Sequence, residues 1–224
     1  ATATAGAAPP ATFALTNRIV STATATILGG AGQSVVVGLP FAQPLSLIVK
    51  DSTGRTVEGV KLTFTLPAGT LSGTFPGATP TTLVTYTNGS GVATSDIVTA
   101  KTRSGTFNAR ATVAGLAGST NFALTVLPDV PFRATASVGA QSVAAGSAFA
   151  RAPSLYVTDQ YNNRVPGVPV SFALPATGPS GVFGAPVNGI AAPVTTDANG
   201  VATSPLVTAN LFVGAYQAVA TISG

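Results

Sequence analysis

The chain reads as an all-β protein made of two β-sandwich repeats in tandem, and three observations lead there. Similar segments recur at a separation near 109 residues along a chain of 224. Apolar and polar residues alternate over short runs, with no segment at the 3.6-residue helical spacing. Gly, Pro and Asn close each run after a few residues, and the chain holds 25 Gly and 17 Pro. A period of that length is long enough to bury one sandwich core.

The repeat is read directly from the residues. VKDSTGRTVEGVKLTFTLPA (49–68) lies over VTDQYNNRVPGVPVSFALPA (157–176) at an offset of 108. Gln33, Ser34 and Gly38 match Gln141, Ser142 and Gly146 at that offset. Downstream, GVATSDIVTA (91–100) matches GVATSPLVTA (200–209), and ARATVAG (109–115) matches AVATISG (218–224), both at 109.

Each copy then divides into strands and turns. Leu45–Val49 and Pro153–Val157 read as strands that end in turns at Ser52-Thr53-Gly54 and Tyr161-Asn162-Asn163. In Val60–Leu66 and Val168–Leu174 every second residue is apolar, so one face is directed to a core. Gly59 and Gly167 precede these strands where a turn with positive φ is expected. Asn-Gly pairs near 87–89 and 197–200 suggest hairpin turns, with a small insertion in the first copy. Phe64 with Phe172, Leu66 with Leu174, and Val113 with Ile222 are the core candidates. Leu127-Pro128-Asp129-Val130-Pro131 reads as a stiff linker.

The order V-x-D-x-x-x-x-x-V-x-G-V-x-V-x-F, then T-x-(D/N)-x-x-G-V-A-T, then G-x-(F/Y)-x-A-x-A-T covers nearly all of both copies. It resembles the bacterial immunoglobulin-like repeats of the invasin and intimin type. The resemblance implies an immunoglobulin-like fold and a place in the stalk of a surface adhesin or extracellular fibre. A location outside the cell or on the bacterial surface follows from it, as does a host or surface receptor among the partners.

Composition removes other classes. With no Cys and no His there is no thiol nucleophile, imidazole base or ordinary zinc site. Asp51, Glu58, Asp96, Asp129, Asp159 and Asp197 stand singly, so paired-carboxylate hydrolysis lacks its groups and the chain is read as no enzyme. The net charge of +4 comes from ten scattered basic residues, not from a patch suited to nucleic acid. The uncharged stretches are broken by Pro, Gly and Thr, against membrane insertion. No cofactor is expected. Calcium at Asp51 or Asp159 is weighed against an ordinary turn in which the carboxylate accepts backbone N–H groups, and the turn is preferred. An interdomain site joining Asp129 to Asp197 or Asp96 is a lesser alternative. Asn88-Gly89-Ser90 matches a glycosylation sequon. Lys101 and Arg103 read as solubilising loop charges, with phosphate or glycan contact the lesser alternative.

Where the repeat is cut shapes the functional expectation. The first copy runs on from ATVAG (111–115) to NFALTVLP (121–128), whereas the second reaches the equivalent of Gly115 at Gly224. ATAGAAPPATFALTN (3–17) aligns with TVAGLAGSTNFALTV (112–126). The sequence thus predicts a leading strand in 1–17, a first repeat in 18–127, and a second repeat in 128–224 lacking its final strand. The opening residues, without Met or a basic leader, read as a processed or excised product.

An interface set follows. Ala11, Thr12, Phe13, Ala14, Leu15 and Thr16 are the donor strand; Tyr216, Ala218, Ala220 and Ile222 line the acceptor side. The expected partners are copies of the chain, or neighbouring repeats of one longer chain. With only 7% charged residues, a surface covered by such neighbours is also expected. The alternative is a glycan- or receptor-binding module, for which Tyr156, Tyr161 and Phe212 are the loop aromatics.

Overall fold

The computed structural model describes residues 23–185 and 189–222. Every regular element among them is a strand. In chain order these are β1 (Thr24–Gly29), β2 (Ser34–Val36), β3 (Ser46–Lys50), β4 (Lys61–Thr65), β5 (Gly73–Thr74) and β6 (Thr82–Tyr86). Next come β7 (Val92–Thr94), β8 (Thr99–Ala100), β9 (Gly105–Val113), β10 (Thr120–Leu127), β11 (Arg133–Ala136) and β12 (Ser154–Thr158). The chain continues through β13 (Pro169–Ala173), β14 (Gly181–Phe183), β15 (Ala191–Thr195), β16 (Val201–Thr203), β17 (Val207–Ala209) and β18 (Val219–Ile222).

Alternation along the strands builds the core. Leu62 and Phe64 of β4 are buried while Lys61 and Thr65 face out, and Val170 with Phe172 repeats the pattern on β13. Buried apolar residues form two clusters, one drawn from Val37 to Val126 and the other from Leu155 to Val207. The first joins a sheet ordered β1-β3-β7 to one ordered β2-β10-β9-β4-β6, packed face to face as an immunoglobulin-like sandwich. Its β10 runs antiparallel to β9 and parallel to β2, so it is an interior strand. The second cluster has sheets β11-β12-β16 and β15-β13-β18, with β14 paired to β17 as β5 is to β8.

Repeat-specific residues carry matching bonds. Thr87 and Thr196 are buried; each hydroxyl accepts from a strand N–H (Val60 at 2.9 Å, Val168 at 2.8 Å) and donates to Val57 or Val165 O. Asn88 Oδ1 accepts from the N–H groups of Ser90 and Val92, as Asp197 Oδ1 does from Asn199 and Val201. These are side-chain-closed turns of equal length, not hairpins, and the expected insertion in the first copy is absent. The strands they connect lie in different sheets, β6 beside β4 and β7 beside β3. Positive φ falls on Gly91 (72°) and Gly200 (68°), where a Cβ would come within 2.9 Å of backbone atoms. Gly59 and Gly167 have φ of 73° and 74°.

The drift of the offset between 109 and 108 has a local cause at one place. The β1–β3 register shifts between Ile27 and Gly29, which leaves Leu28 as the extra residue of a bulge. The equivalent β11–β12 pairing has no such shift. Of the core candidates, Phe64, Phe172, Leu66, Leu174 and Val113 are buried, whereas Ile222 is only half-buried.

Candidate functional site

Strand by strand, β11, β12, β13, β14, β15, β16, β17 and β18 stand where β1, β3, β4, β5, β6, β7, β8 and β9 stand in the first unit. Among the described residues, β2 and β10 have no counterpart. The two absences are linked, because β2 pairs only with β10. Ser142–Ala144, the match of β2, has no strand partner among the described residues and is exposed. The counterpart of the nine-residue β9 narrows to the four residues of β18.

Burial records what β10 contributes. In the first unit Phe122, Leu124 and Val126 of β10 close over the core, and Phe107, Ala109, Ala111 and Val113 on β9 are all buried beside them. The matching residues of the second unit are more open: Tyr216, Ala220 and Ile222 are half-buried and Ala218 is exposed. Here the second sandwich is open along a groove of about 1290 Å³, whose floor includes Phe149, Leu155, Phe172 and Val207. Phe149 and Tyr216 meet edge to face at 6.2 Å, as Phe41 and Phe107 do at 6.3 Å. The Tyr216 hydroxyl, which Phe107 lacks, is buried with no partner among the described residues, and burial pushes it up from its ordinary value of 10.0.

Of the expected acceptor residues, Tyr216, Ala218 and Ala220 line the groove. Ile222 lies apart from its lining and packs on the second cluster, paired with Val170. The donor strand Ala11–Thr16 lies outside the described residues. Of the floor residues, Phe172 was among the core candidates, whereas Phe149, Leu155 and Val207 escaped the sequence reading, although the match of Phe149 to Phe41 carried the signal.

A second site joins the two units. Asn163 is 2% exposed; its amide donates to Thr102 O and to Asp159 Oδ2, both at 2.8 Å, and its Oδ1 accepts from Ser104 N–H at 2.9 Å. Asp159 Oδ2 also accepts from Asp129 N–H at 3.0 Å, and Gln160 Nε2 donates to Asp129 Oδ2 at 2.9 Å. The linker and a loop of the first unit are thus fastened to one turn of the second. Burial raises the Asp159 carboxyl, but the Asn163 amide and the N–H groups of Asp129, Asn163 and Tyr161 outweigh it and hold the group below 3.8. Asp51, the equivalent in the first unit, accepts from Thr53 and Arg55 within its own turn.

Asp129 therefore meets Asp159, not Asp197 or Asp96. Both carboxylates are engaged by N–H groups, and no group of three or more acidic side chains gathers among the described residues. Glu58 is exposed on a loop. The Lys101 ammonium, a loop charge as expected, donates to Gly69 O at 2.8 Å and so also fastens its loop to a neighbouring one. Of the three aromatics expected on loops, Tyr156 lies instead on β12, half-buried with the Arg164 guanidinium 3.5 Å from its ring centroid, while Tyr161 and Phe212 are exposed on loops.

No family model matches the chain, and no curated protein matches it. Solved structures do. The chain is similar to bacterial immunoglobulin-like adhesin structures. FdeC, an Escherichia coli adhesin, is 18% identical with a TM-score of 0.37 over 86% of this chain and 65% of its own. Invasin, a bacterial integrin-binding protein, is 20% identical with a TM-score of 0.38 over 91% of this chain and 36% of its own. The Yersinia pseudotuberculosis adhesin InvE is 21% identical with a TM-score of 0.35 over 90% of this chain and 58% of its own. The chain thus spans less than two thirds of each of these proteins. No helix among the described residues is long and apolar enough to cross a membrane.

Proposed function

We propose that the chain is a non-enzymatic structural unit of an extracellular or cell-surface fibre or adhesin stalk, with sandwich units over 18–127 and 128–224. In this reading the units join head to tail: the strand Ala11–Thr16 of one copy enters the groove in the second unit of another. The observation that carries it is that, among the described residues, the strand positions unfilled in the second unit are those of β10 and of β2, which pairs with it. Phe13-Ala14-Leu15-Thr16 repeats Phe122-Ala123-Leu124-Thr125 of β10 residue for residue.

Strand addition supplies what such a groove needs. Main-chain bonds satisfy the open edge, and alternate side chains fill the core. Carrying over the β10–β9 register places Phe13 opposite Ala218 and Leu15 opposite Tyr216. The donor precedes the first unit and the groove belongs to the second, so the contact is heterologous and propagates as a fibre without closing. Receptor recognition, as in invasin, an integrin-binding protein, is a further role for the assembled fibre or for domains joined to it.

The test is light scattering on the chain purified unfolded and then refolded, beside a version lacking residues 1–17. Polymers from the full chain and none from the truncation support donation. Two folded monomers would contradict it and leave the chain as part of a covalent array.

A further inference from the structure

We infer that the loop Leu211-Phe212-Val213 is an end-to-end docking surface for a second copy of this chain, received by the turn Asp51–Arg55 of that copy's first unit. The inference rests on the head-to-tail reading above and adds a second contact to it, made by a loop whose Phe212 and Val213 also border the groove.

The internal joint is the template. Leu211, Phe212 and Val213 are the matches of Thr102, Arg103 and Ser104, and it is Thr102 O and Ser104 N–H that bind Asn163 of the second unit. The two loops are rooted alike. Lys101 N–H donates to Ser72 O and Asn210 N–H to Ser180 O, both at 2.9 Å. Gly38 N–H donates to Lys101 O and Gly146 N–H to Asn210 O. The side chains of Lys101 and Asn210 each reach a glycine carbonyl, Gly69 O or Gly178 O, at 2.8 Å. The backbone that fastens the second unit onto the first is therefore presented again by the second unit itself.

Its side chains differ in one direction. Where the first loop is polar, the second carries three apolar residues that are 80%, 68% and 89% exposed. Three adjacent large apolar side chains in water mark a contact surface. The receiving turn differs in step. Asn163 matches Arg55, and both turns close with the same bonds: Asp51 N–H to Arg55 O at 2.8 Å, Asp159 N–H to Asn163 O at 2.9 Å. The fourth residue of each has positive φ, 84° at Gly54 and 63° at Asn162. An exposed Arg55 offers a guanidinium that lies well on an aromatic face such as Phe212, and N–H groups for Leu211 O, as Asn163 donates to Thr102 O.

The exchange also sorts the joints. Arg55 set against the first loop would face Arg103, a like charge, so the copies are steered to meet second unit to first unit.

The experiment compares refolded polymers of the chain with those of the triple variant Leu211→Thr, Phe212→Arg, Val213→Ser, which installs the first unit's loop residues. Light scattering reads assembly, and electron microscopy reads the bending between successive chains. The expected result is polymers that still form but lose stiffness, with stiffness restored when Arg55→Asn is added to recreate the internal pairing. Assembly lost in the triple variant and regained with Arg55→Asn supports the joint equally. Polymers of unchanged stiffness overturn the joint and leave strand donation standing. A loss that Arg55→Asn does not repair overturns the pairing with the Asp51–Arg55 turn. A parent chain that forms no polymer overturns both.

Discussion

Phe13→Ala carries a cost that the first unit calibrates. Phe122 is fully buried, with its ring centroid 6.0 Å from that of Phe64. Truncating such a side chain costs about 3–5 kcal/mol, the transfer energy plus the cavity left behind. If Phe13 takes the same place in a second unit, it meets Phe172, which matches Phe64, and loses a similar amount. At about 1.4 kcal/mol per factor of ten, labelled Phe13→Ala chains should leave a polymer roughly 100- to 4000-fold more readily than parent chains. Dilution of fluorescent polymers measures that release. Phe122→Ala, measured by urea unfolding of the same chain, is the internal standard, and the two costs should agree within about 1 kcal/mol. Unchanged polymer release in Phe13→Ala, with Phe122→Ala clearly destabilised, would refute the equivalence of the two strands.

Three further outcomes follow from the residues at the joint and the turn. Asn163→Ala removes three inter-residue bonds and leaves Ser104 N–H and Thr102 O without their partner; each group left dry costs about 1–3 kcal/mol. Small-angle scattering should show a broader distribution of lengths for that variant, and an unchanged profile would mean the joint bears no load. Thr196→Val leaves Val168 N–H buried without its acceptor and should lower the urea midpoint of the second unit, by about 1–3 kcal/mol, while the first unit keeps its own. Because the Asp159 carboxyl is held below 3.8 in the folded chain, its contribution is complete above that value and is lost as pH falls through the lower folded value. Stability of the joint should therefore be flat from neutral pH to about 5 and drop below about 4. Asp159→Asn should flatten that drop, and an equally steep acid loss in the variant would assign it to another group.

The strands were legible because each core face declares itself in alternation, as in Leu62 and Phe64 or Val170 and Phe172. The tandem copies were legible because the same buried threonine and Asx-type turn are needed twice. Sequence marked Asn88 and Asp197 as turn residues but mistook the turn's type, since a hairpin and a sheet-to-sheet crossing both call for Asn, Asp and Gly. The joint at Asn163 was not legible. The exchange of Arg55 for Asn163 is visible, but the two turns close alike, and that the second is covered by a neighbouring unit is a fact of packing between units. Leu211-Phe212-Val213 drew attention only through Phe212, because exposure of an apolar triplet is invisible until the strands around it are placed.

The donor–acceptor register can be fixed with one pair of cysteines in a chain that has none. Ala123 lies opposite Asn108 in the β10–β9 register, so Ala14 should lie opposite Gln217 of another copy. Chains carrying Ala14→Cys are refolded with chains carrying Gln217→Cys, oxidised gently, and run without reductant. Cross-strand neighbours come within about 4.5–5.5 Å, close enough for a disulfide after small adjustment, whereas positions two residues away do not. The account predicts a disulfide between the two different chains, much weakened when Val219→Cys replaces Gln217→Cys. No inter-chain bond, or one equally strong at both positions, would contradict the claim that this strand completes the second sandwich.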